Sequence, residues 1–381
     1  MNNKEPHSLV ELAKCLQEKN VSDVESKLIF VRFIENKART CGIPLTGKFE
    51  LTPLCNLDCK MCYVHLDNSK YKATKLLKVN EWKKLIHQAY QSGMRNASIT
   101  GGECLTYPGF DELYVYFHSL GIKPGILSNG ILIDQEKIKL FSAYPPQIIQ
   151  ISLYGSSEDA YEKVTGRRVF HTVYNNLQMI RDSGIPVKIT ITPNSFMRED
   201  IIPLLETAKS LGIQTNINAN LIPPRKNTGR EVHDLTVDEY VEIYKIQNMM
   251  NNKTPIEVDP LELPDESHEG IKRFGLLCGA GRSSFGIKYD GSMCPCLSLG
   301  DISVDVLESG FESAWKQINS IAKNYPLPEE CGTCVYQDRC LLCVAMHSNA
   351  PAAGHCDPRI CERTKKLISA GFIPVPVQNK D

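Results

Sequence analysis

Between residues 46 and 222, short β-branched or apolar runs alternate with longer helical patterns, which is how βα units around a parallel sheet read in sequence. Six runs have strand character: GKFELT (47–52), NASIT (96–100), KPGILS (123–128), IIQISL (148–153), VKITIT (187–192) and TNINA (215–219). Several of the intervening helical patterns stop at a glycine shortly before the next strand, at Gly93, Gly121, Gly184 and Gly212, where a residue at ease with positive φ ends a helix. Six such units predict an α/β fold, a partial (β/α)6 TIM-like barrel, because a closed eight-unit barrel needs about 250 residues. A flat doubly wound sheet would give the same local pattern.

The flanks read differently. Residues 1–45 are helical and amphipathic, with apolar positions at Leu9, Val10, Leu12, Leu16, Ile29, Phe30, Phe33 and Ile34, and are expected to form an N-terminal helical cap. Residues 223–275 carry the proline- and charge-rich stretches PPRKNTGREVHD and DPLELPDESHEG around one helical pattern near 236–250, and form a bridging segment. A small cysteine-rich domain follows over 276–370, with a tail at 371–381. A chain of 381 residues exceeds what one hydrophobic core usually organises, so a second core is expected.

Charge narrows the partners. The 43 basic and 44 acidic residues nearly cancel, with no like-charge run to make a nucleic-acid or membrane surface. No stretch of about 18 apolar residues exists to span a bilayer, and the N-terminus lacks the apolar core of an export signal, so a cytoplasmic location is expected. In that compartment the 15 cysteines stay reduced, which favours metal ligation over a disulfide framework. Cys55, Cys59 and Cys62 form one group, nine more fall between Cys278 and Cys361, and Cys15, Cys41 and Cys104 stand alone.

In LTPLCNLDCKMCYVHL the first three cysteines lie just after the first strand, where barrel enzymes place their chemistry. Three thiolates can hold three irons of a [4Fe–4S] cube and leave the fourth iron open to a ligand. The alternative is zinc, which normally closes its fourth position, and His65 is the only nearby candidate. This spacing, followed by Tyr63, resembles the signature of radical S-adenosylmethionine (SAM) enzymes. The likeness extends along the chain: Gly101-Gly102-Glu103 after the second strand resembles the turn that meets the methionine amino group. Ser128-Asn129 before Gly130 resembles the ribose-contacting turn, and Ser152 the serine after the fourth strand. Taken alone, two glycines make a turn, and Ser128, Asn129 and Ser152 are as suited to capping helices. Tyr63 is the candidate adenine contact. Cys104 replaces the proline that commonly follows the glutamate, and reads as a loop residue. In KVTGRRVF the arginine that many members place before a glycine is Thr165 here, leaving Arg167 or Arg168 to meet the cofactor carboxylate, or to form a solvated basic turn.

The later cysteines, with Gly291, resemble the auxiliary-cluster extension known as the SPASM domain, which holds up to two further [4Fe–4S] clusters. Carried over by position, Cys278, Cys296 and Cys343 would serve the nearer cluster, and Cys331, Cys334, Cys340 and Cys361 the outer one. Cys294 and Cys356 are supernumerary, so Cys294 completes the nearer cluster or leaves it an open iron, and Cys356 is an alternative to Cys361. Against this stands a zinc ribbon built on CGTC and CLLC, though five residues between the pairs is tight for one.

The resemblance implies S-adenosylmethionine as cofactor, reductive formation of a 5′-deoxyadenosyl radical, and hydrogen removal from an unactivated C–H bond. It implies as substrate a peptide or protein, such as a ribosomally made precursor modified oxidatively, for example by crosslinking. A separate leader-recognition protein and a reductant such as flavodoxin or ferredoxin would be partners. Dehydrogenation of a small molecule is the same-chemistry alternative, and a non-catalytic iron–sulfur carrier or scaffold the different-class one.

Overall fold

A computed structural model describes residues 23–64, 75–218, 221–222, 234–250, 275–276, 278–328, 330, 334–336, 339–340, 343–348 and 356–374. All six expected strands form: β1 Thr46–Glu50, β2 Asn96–Thr100, β3 Gly125–Ser128, β4 Ile149–Ser152, β5 Val187–Ile191 and β6 Thr215–Ile217. Each pairs parallel with its predecessor, giving the order β6-β5-β4-β3-β2-β1. A doubly wound sheet would reverse direction at a switch point. Sequential order without reversal is the barrel arrangement, and the sheet stops short of closure, with β6 at one edge.

The helices of the described chain are α1 Asp23–Cys41, α2 Val79–Gln91, α3 Phe110–Ser119, α4 Gln135–Ala143, α5 Glu158–Thr165, α6 Phe170–Asp182, α7 Ile201–Ser210 and α8 Val237–Met250 in the first part. Their apolar positions recur at helical spacing. In α2, Trp82, Leu85, Ile86 and Ala89 are all buried, one stripe facing the sheet. Asp134 and Ser157 cap α4 and α5 by accepting backbone N–H groups from Lys137 and Ala160. Gly93, Gly121, Gly184 and Gly212 all have positive φ, as their helix-stop positions require.

The cysteine-rich region does not stand apart. Its first strand, β7 (Ser284–Ile287), pairs parallel with β1, and β8 (Ser292–Cys294) and β9 (Val304–Asp305) continue the same sheet antiparallel. Gly47 makes this join possible, because a Cβ there would lie 2.8 Å from the Phe285 ring and 2.7 Å from Met94 Sδ. Phe285, with Phe311 and Trp315 of α10 (Phe311–Lys323, after the short α9, Val306–Ser309), belongs to the main core, and Trp315 Nε1 donates to Gly42 O at 2.7 Å. The expected second core is reduced to a small satellite of Leu276, Ala280, Leu299, Ala322 and Ala345, the last in α11 (Val344–Ser348). The last helix, α12 (Pro358–Ser369), packs Leu367 and Ile368 into the main core. None of the described helices is long and apolar enough to cross a membrane.

Candidate active site at the strand C-termini

Four loops leave the C-terminal ends of β1, β2, β3 and β4, and three of them are bonded to one another. The β1–β2 ladder runs on past its strands: Leu51 N donates to Thr100 O, Gly102 N to Thr52 O and Glu103 N to Leu54 O, at 2.9, 2.8 and 2.8 Å. That continuation explains the glycine pair. A Cβ at Gly101 would lie 2.6 Å from Thr52 O, and one at Gly102 2.5 Å from Leu54 O, so only glycine lets the two backbones touch. In sequence the pair reads as an approach to a ligand; in the fold it is an approach to the chain leading into the cysteine loop.

Glu103 has no exposed surface, and its carboxylate accepts from Leu105 N, Asn129 N and Ser128 Oγ at 3.1, 2.7 and 3.0 Å. Burial raises its pKa, and the amides of Asn129 and Leu105 pull the other way. Cys104 is fully buried beside it, its thiol donating to Leu127 O at 3.4 Å, which suits a loop residue. Asn129 extends the network: Nδ2 donates to Asn56 Oδ1 at 2.6 Å and lies 3.8 Å from Cys55 Sγ.

Cys59 is buried, and Cys55 and Cys62 are half-buried. Burial pushes the Cys55 thiol up to about 11, opposed by the Leu57 N–H that it accepts at 3.4 Å and reinforced by Glu103 and Cys62. The far side of this loop is backed by the C-terminal end of α5, with Asp58 N donating to Thr165 O and Lys60 N to Val164 O, both at 3.0 Å. Two tyrosines unsuspected in the sequence, Tyr154 and Tyr161, stand with ring centroids 6.0 Å apart. Burial first, then the nearby Cys59, pushes both phenols well above their usual value. Tyr154 lies two residues beyond Ser152, so the period of an extended chain was the available signal.

Ser152 is half-buried at the end of β4, and its carbonyl accepts the Tyr161 hydroxyl at 3.5 Å. Tyr63 is half-buried beside Cys62. Arg167 and Arg168 are exposed, and Arg168 is ion-paired with Asp159 and Glu162 on α5, which is the solvated-turn alternative for that residue. His65 lies outside the described residues.

The donor set fits a [4Fe–4S] cube. Three thiols sit on one loop, one buried and two half-buried, with N–H groups directed at the sulfur of Cys55. Among the described residues no three Cys, His, Asp or Glu side chains meet around one point as they would around a single ion. In a cube each thiolate bonds its own iron, so its ligands need not converge.

In the second region the described cysteines are all free thiols. Cys343 is half-buried against the satellite core together with Cys296, and charge on Cys296 or Cys278 adds to the upward push that burial gives its thiol, so these three lie together. Cys340 Sγ accepts from Thr364 Oγ1 at 3.9 Å, and Thr364 is one helical turn beyond Cys361 on α12, which brings Cys340 and Cys361 to one place. Cys334 is half-buried against the main core. Cys294 is fully buried in β8 and its thiol donates to Gly286 O at 3.6 Å, inside the sheet. Cys356 precedes α12, its N–H on Glu330 at 3.4 Å. Cys331 lies outside the described residues.

Residues 49–208 match the model of the Radical SAM superfamily. They are a radical SAM domain. The domain holds all four motifs, from Cys55 to Ser152. The antilisterial bacteriocin subtilosin biosynthesis protein AlbA of Bacillus subtilis (strain 168) is 26% identical over 316 residues, 80% of this chain and 67% of AlbA. The sporulation killing factor maturation protein SkfB of the same organism is 26% identical over 289 residues, 74% of this chain and 68% of SkfB. In fold, the chain resembles Streptococcus suis SuiB bound to S-adenosylmethionine, with a TM-score of 0.64 at 18% identity over 92% of this chain and 87% of SuiB. SuiB has also been solved bound to precursor peptide SuiA, and that structure gives a TM-score of 0.63 at 17% identity over 90% of this chain and 82% of SuiB. The chain thus carries a radical SAM domain, and of these relatives AlbA is named for bacteriocin biosynthesis and SkfB for maturation of a killing factor.

Proposed function

We propose that this radical SAM enzyme oxidatively modifies a ribosomally made precursor peptide, for example by crosslinking a side chain. The observation that carries the reading is the extent of the likeness to AlbA and SkfB, which runs well beyond the radical SAM domain into the cysteine-rich region. The fold shared with SuiB, solved with its precursor peptide, supports a peptide as the partner.

In this reading Cys55, Cys59 and Cys62 hold a [4Fe–4S] cluster, and the loops at Gly101–Glu103, Ser128–Asn129 and Ser152, with Tyr63, cradle S-adenosylmethionine. When bound, the two together supply a carbon-centred radical able to remove hydrogen from an unactivated C–H bond. The chain's own contribution is to fix the loops and to exclude water. Glu103 holds the ends of β2 and β3 in register, and Tyr154 and Tyr161 wall the cysteine loop with aromatic surface. Cys278, Cys296 and Cys343, with Cys331, Cys334, Cys340 and Cys361, would hold auxiliary clusters that accept an electron from the substrate or ligate it.

The test is anaerobic reconstitution followed by iron counting, an assay for 5′-deoxyadenosine under dithionite, and mass spectrometry of short peptides encoded beside this gene. Formation of the nucleoside together with a peptide lighter by a pair of hydrogens is expected. Nucleoside without change in any such peptide would overturn the peptide reading while leaving the radical chemistry intact.

A further inference from the structure

The side chain of Asn129 is fixed at both ends. Its Oδ1 accepts the Ile131 N–H at 3.1 Å, the local turn that an Asn side chain makes with the backbone two residues on. That bond settles which way the amide faces, because an N–H cannot accept from another N–H. Nδ2 therefore points at the cysteine loop, where Asn56 Oδ1 at 2.6 Å and Cys55 Sγ at 3.8 Å are the two acceptors for its two hydrogens. The residue is only 6% exposed, and its backbone N–H is committed to Glu103 at 2.7 Å, so the amide has little freedom to turn away. Cys55 Sγ thus faces two N–H donors, the Leu57 amide and Asn129, and as a thiol it can itself donate to Asn56 Oδ1 at 3.9 Å.

We propose that Asn129 is a positioning residue that sets the reduction potential of the cluster by donating its side-chain N–H to the sulfur of Cys55. The proposal rests on the reading of Cys55, Cys59 and Cys62 as cluster ligands. An N–H aimed at a ligating thiolate draws charge from the sulfur and favours the reduced, more negative cluster, which raises its potential. The Leu57 donor belongs to the backbone and is common to any residue there. Asn129 is the donor that a side chain supplies, and it comes from the end of β3, so cluster potential is coupled to the turn that Glu103 holds.

The experiment uses the full chain, reconstituted anaerobically without S-adenosylmethionine, so that any role of Asn129 toward that cofactor does not enter. The midpoint potential is followed on the electron paramagnetic resonance signal that is missing when Cys55, Cys59 and Cys62 are together changed to Ala. Asn129→Ala removes the donor. Asn129→Asp keeps an oxygen for the Ile131 N–H and turns the other end into a charged acceptor. A midpoint more negative than native is expected in both, and further negative in Asn129→Asp. An unchanged or more positive midpoint overturns the proposal. If neither variant retains the signal, Asn56→Ala, which frees the amide from its second acceptor and leaves it to Cys55, is expected to make the midpoint more positive, and an unchanged or more negative midpoint there overturns the proposal. Identical iron content and signals in the native and triple-Ala proteins would instead overturn the ligand reading beneath it.

Discussion

The Glu103 carboxylate accepts the backbone N–H of Asn129 at 2.7 Å, bridging the ends of β2 and β3 from a position with no exposed surface. Because the Ser128 hydroxyl and the Leu105 amide also donate to it, one buried side chain fixes three successive pieces of the candidate site. Every group facing this carboxylate is a donor. An amide in its place would turn its own N–H toward one of them. Glu103→Gln is therefore expected to cost about 1–3 kcal/mol, the usual cost of a buried polar group left facing the wrong partner. The check is urea denaturation of the unreconstituted protein, where a change within error of native would mean that the three donors find other acceptors.

The glycine pair makes a sharper case, since the atoms in its way belong to backbone. Gly102→Ala would set a methyl 2.5 Å from Leu54 O and 2.6 Å from Pro53 O, and neither carbonyl can yield without moving the entry to the cysteine loop. Overpacking of this kind costs about 1–3 kcal/mol. Iron at Cys55, Cys59 and Cys62 should be lost, while circular dichroism still reports a folded sheet. Iron content equal to native would show that the loop shifts freely.

How these features read in sequence depends on how local their causes are. The six strands and the glycines that end their preceding helices were legible because alternation and positive φ are properties of a few adjacent residues. The motifs were legible as positions, each at a strand end. The role of Gly101 and Gly102 against residues 52–54 was not, because it requires knowing which loop lies beside which. Nor was the join of β7 to β1, which pairs Gly47 with Phe285 across most of the chain, so the cysteine-rich region looked independent when it shares the core. Tyr154 and Tyr161 carried no motif, and their place beside Cys59 follows from the backing of residues 58–60 by 164–165.

His118 gives the fold a dependence on acid. Its ring lies between Tyr114 and Tyr144, at 5.0 and 5.5 Å between centroids, and its buried Nε2 has no hydrogen-bond partner among the described residues. Burial, and then the charge of Lys123, lowers its pKa. A histidine lowered in the folded state takes up its proton more readily when unfolded, so the unfolded chain gains as pH falls below about 6.5. The melting temperature should fall between pH 7.5 and 5.5, roughly the window around that value, and should fall less in His118→Phe. Parallel pH curves for the two proteins would remove His118 as the cause.

The C-terminal helix is tied to the bridging helix by a buried ion pair. Arg363 Nη2 on α12 lies 2.9 Å from Asp234 Oδ2, just before α8, with the two side chains 2% and 7% exposed. Arg363 also donates to Leu235 O at 3.0 Å and lays its guanidinium 4.3 Å from the Tyr240 ring centroid, while its Nε has no partner among the described residues. Desolvating both charges offsets much of their attraction, so the pair itself adds little, but removing one member leaves the other buried with lesser partners, for Asp234 the Leu235 N–H at 2.8 Å and the half-exposed Arg359 at 4.0 Å. Arg363→Met is therefore expected to destabilise the protein by about 3–5 kcal/mol, and Asp234→Leu by a similar amount, whereas the double variant should recover most of the loss because no unpaired charge remains. Urea denaturation of the four proteins completes the cycle. Additive losses would show that each side chain acts through its own packing, with Arg363 on Tyr240 the larger contact. Recovery in the double variant would assign the cost to the stranded charge, and would mean that Cys361 on α12 can be kept in place by apolar contacts alone.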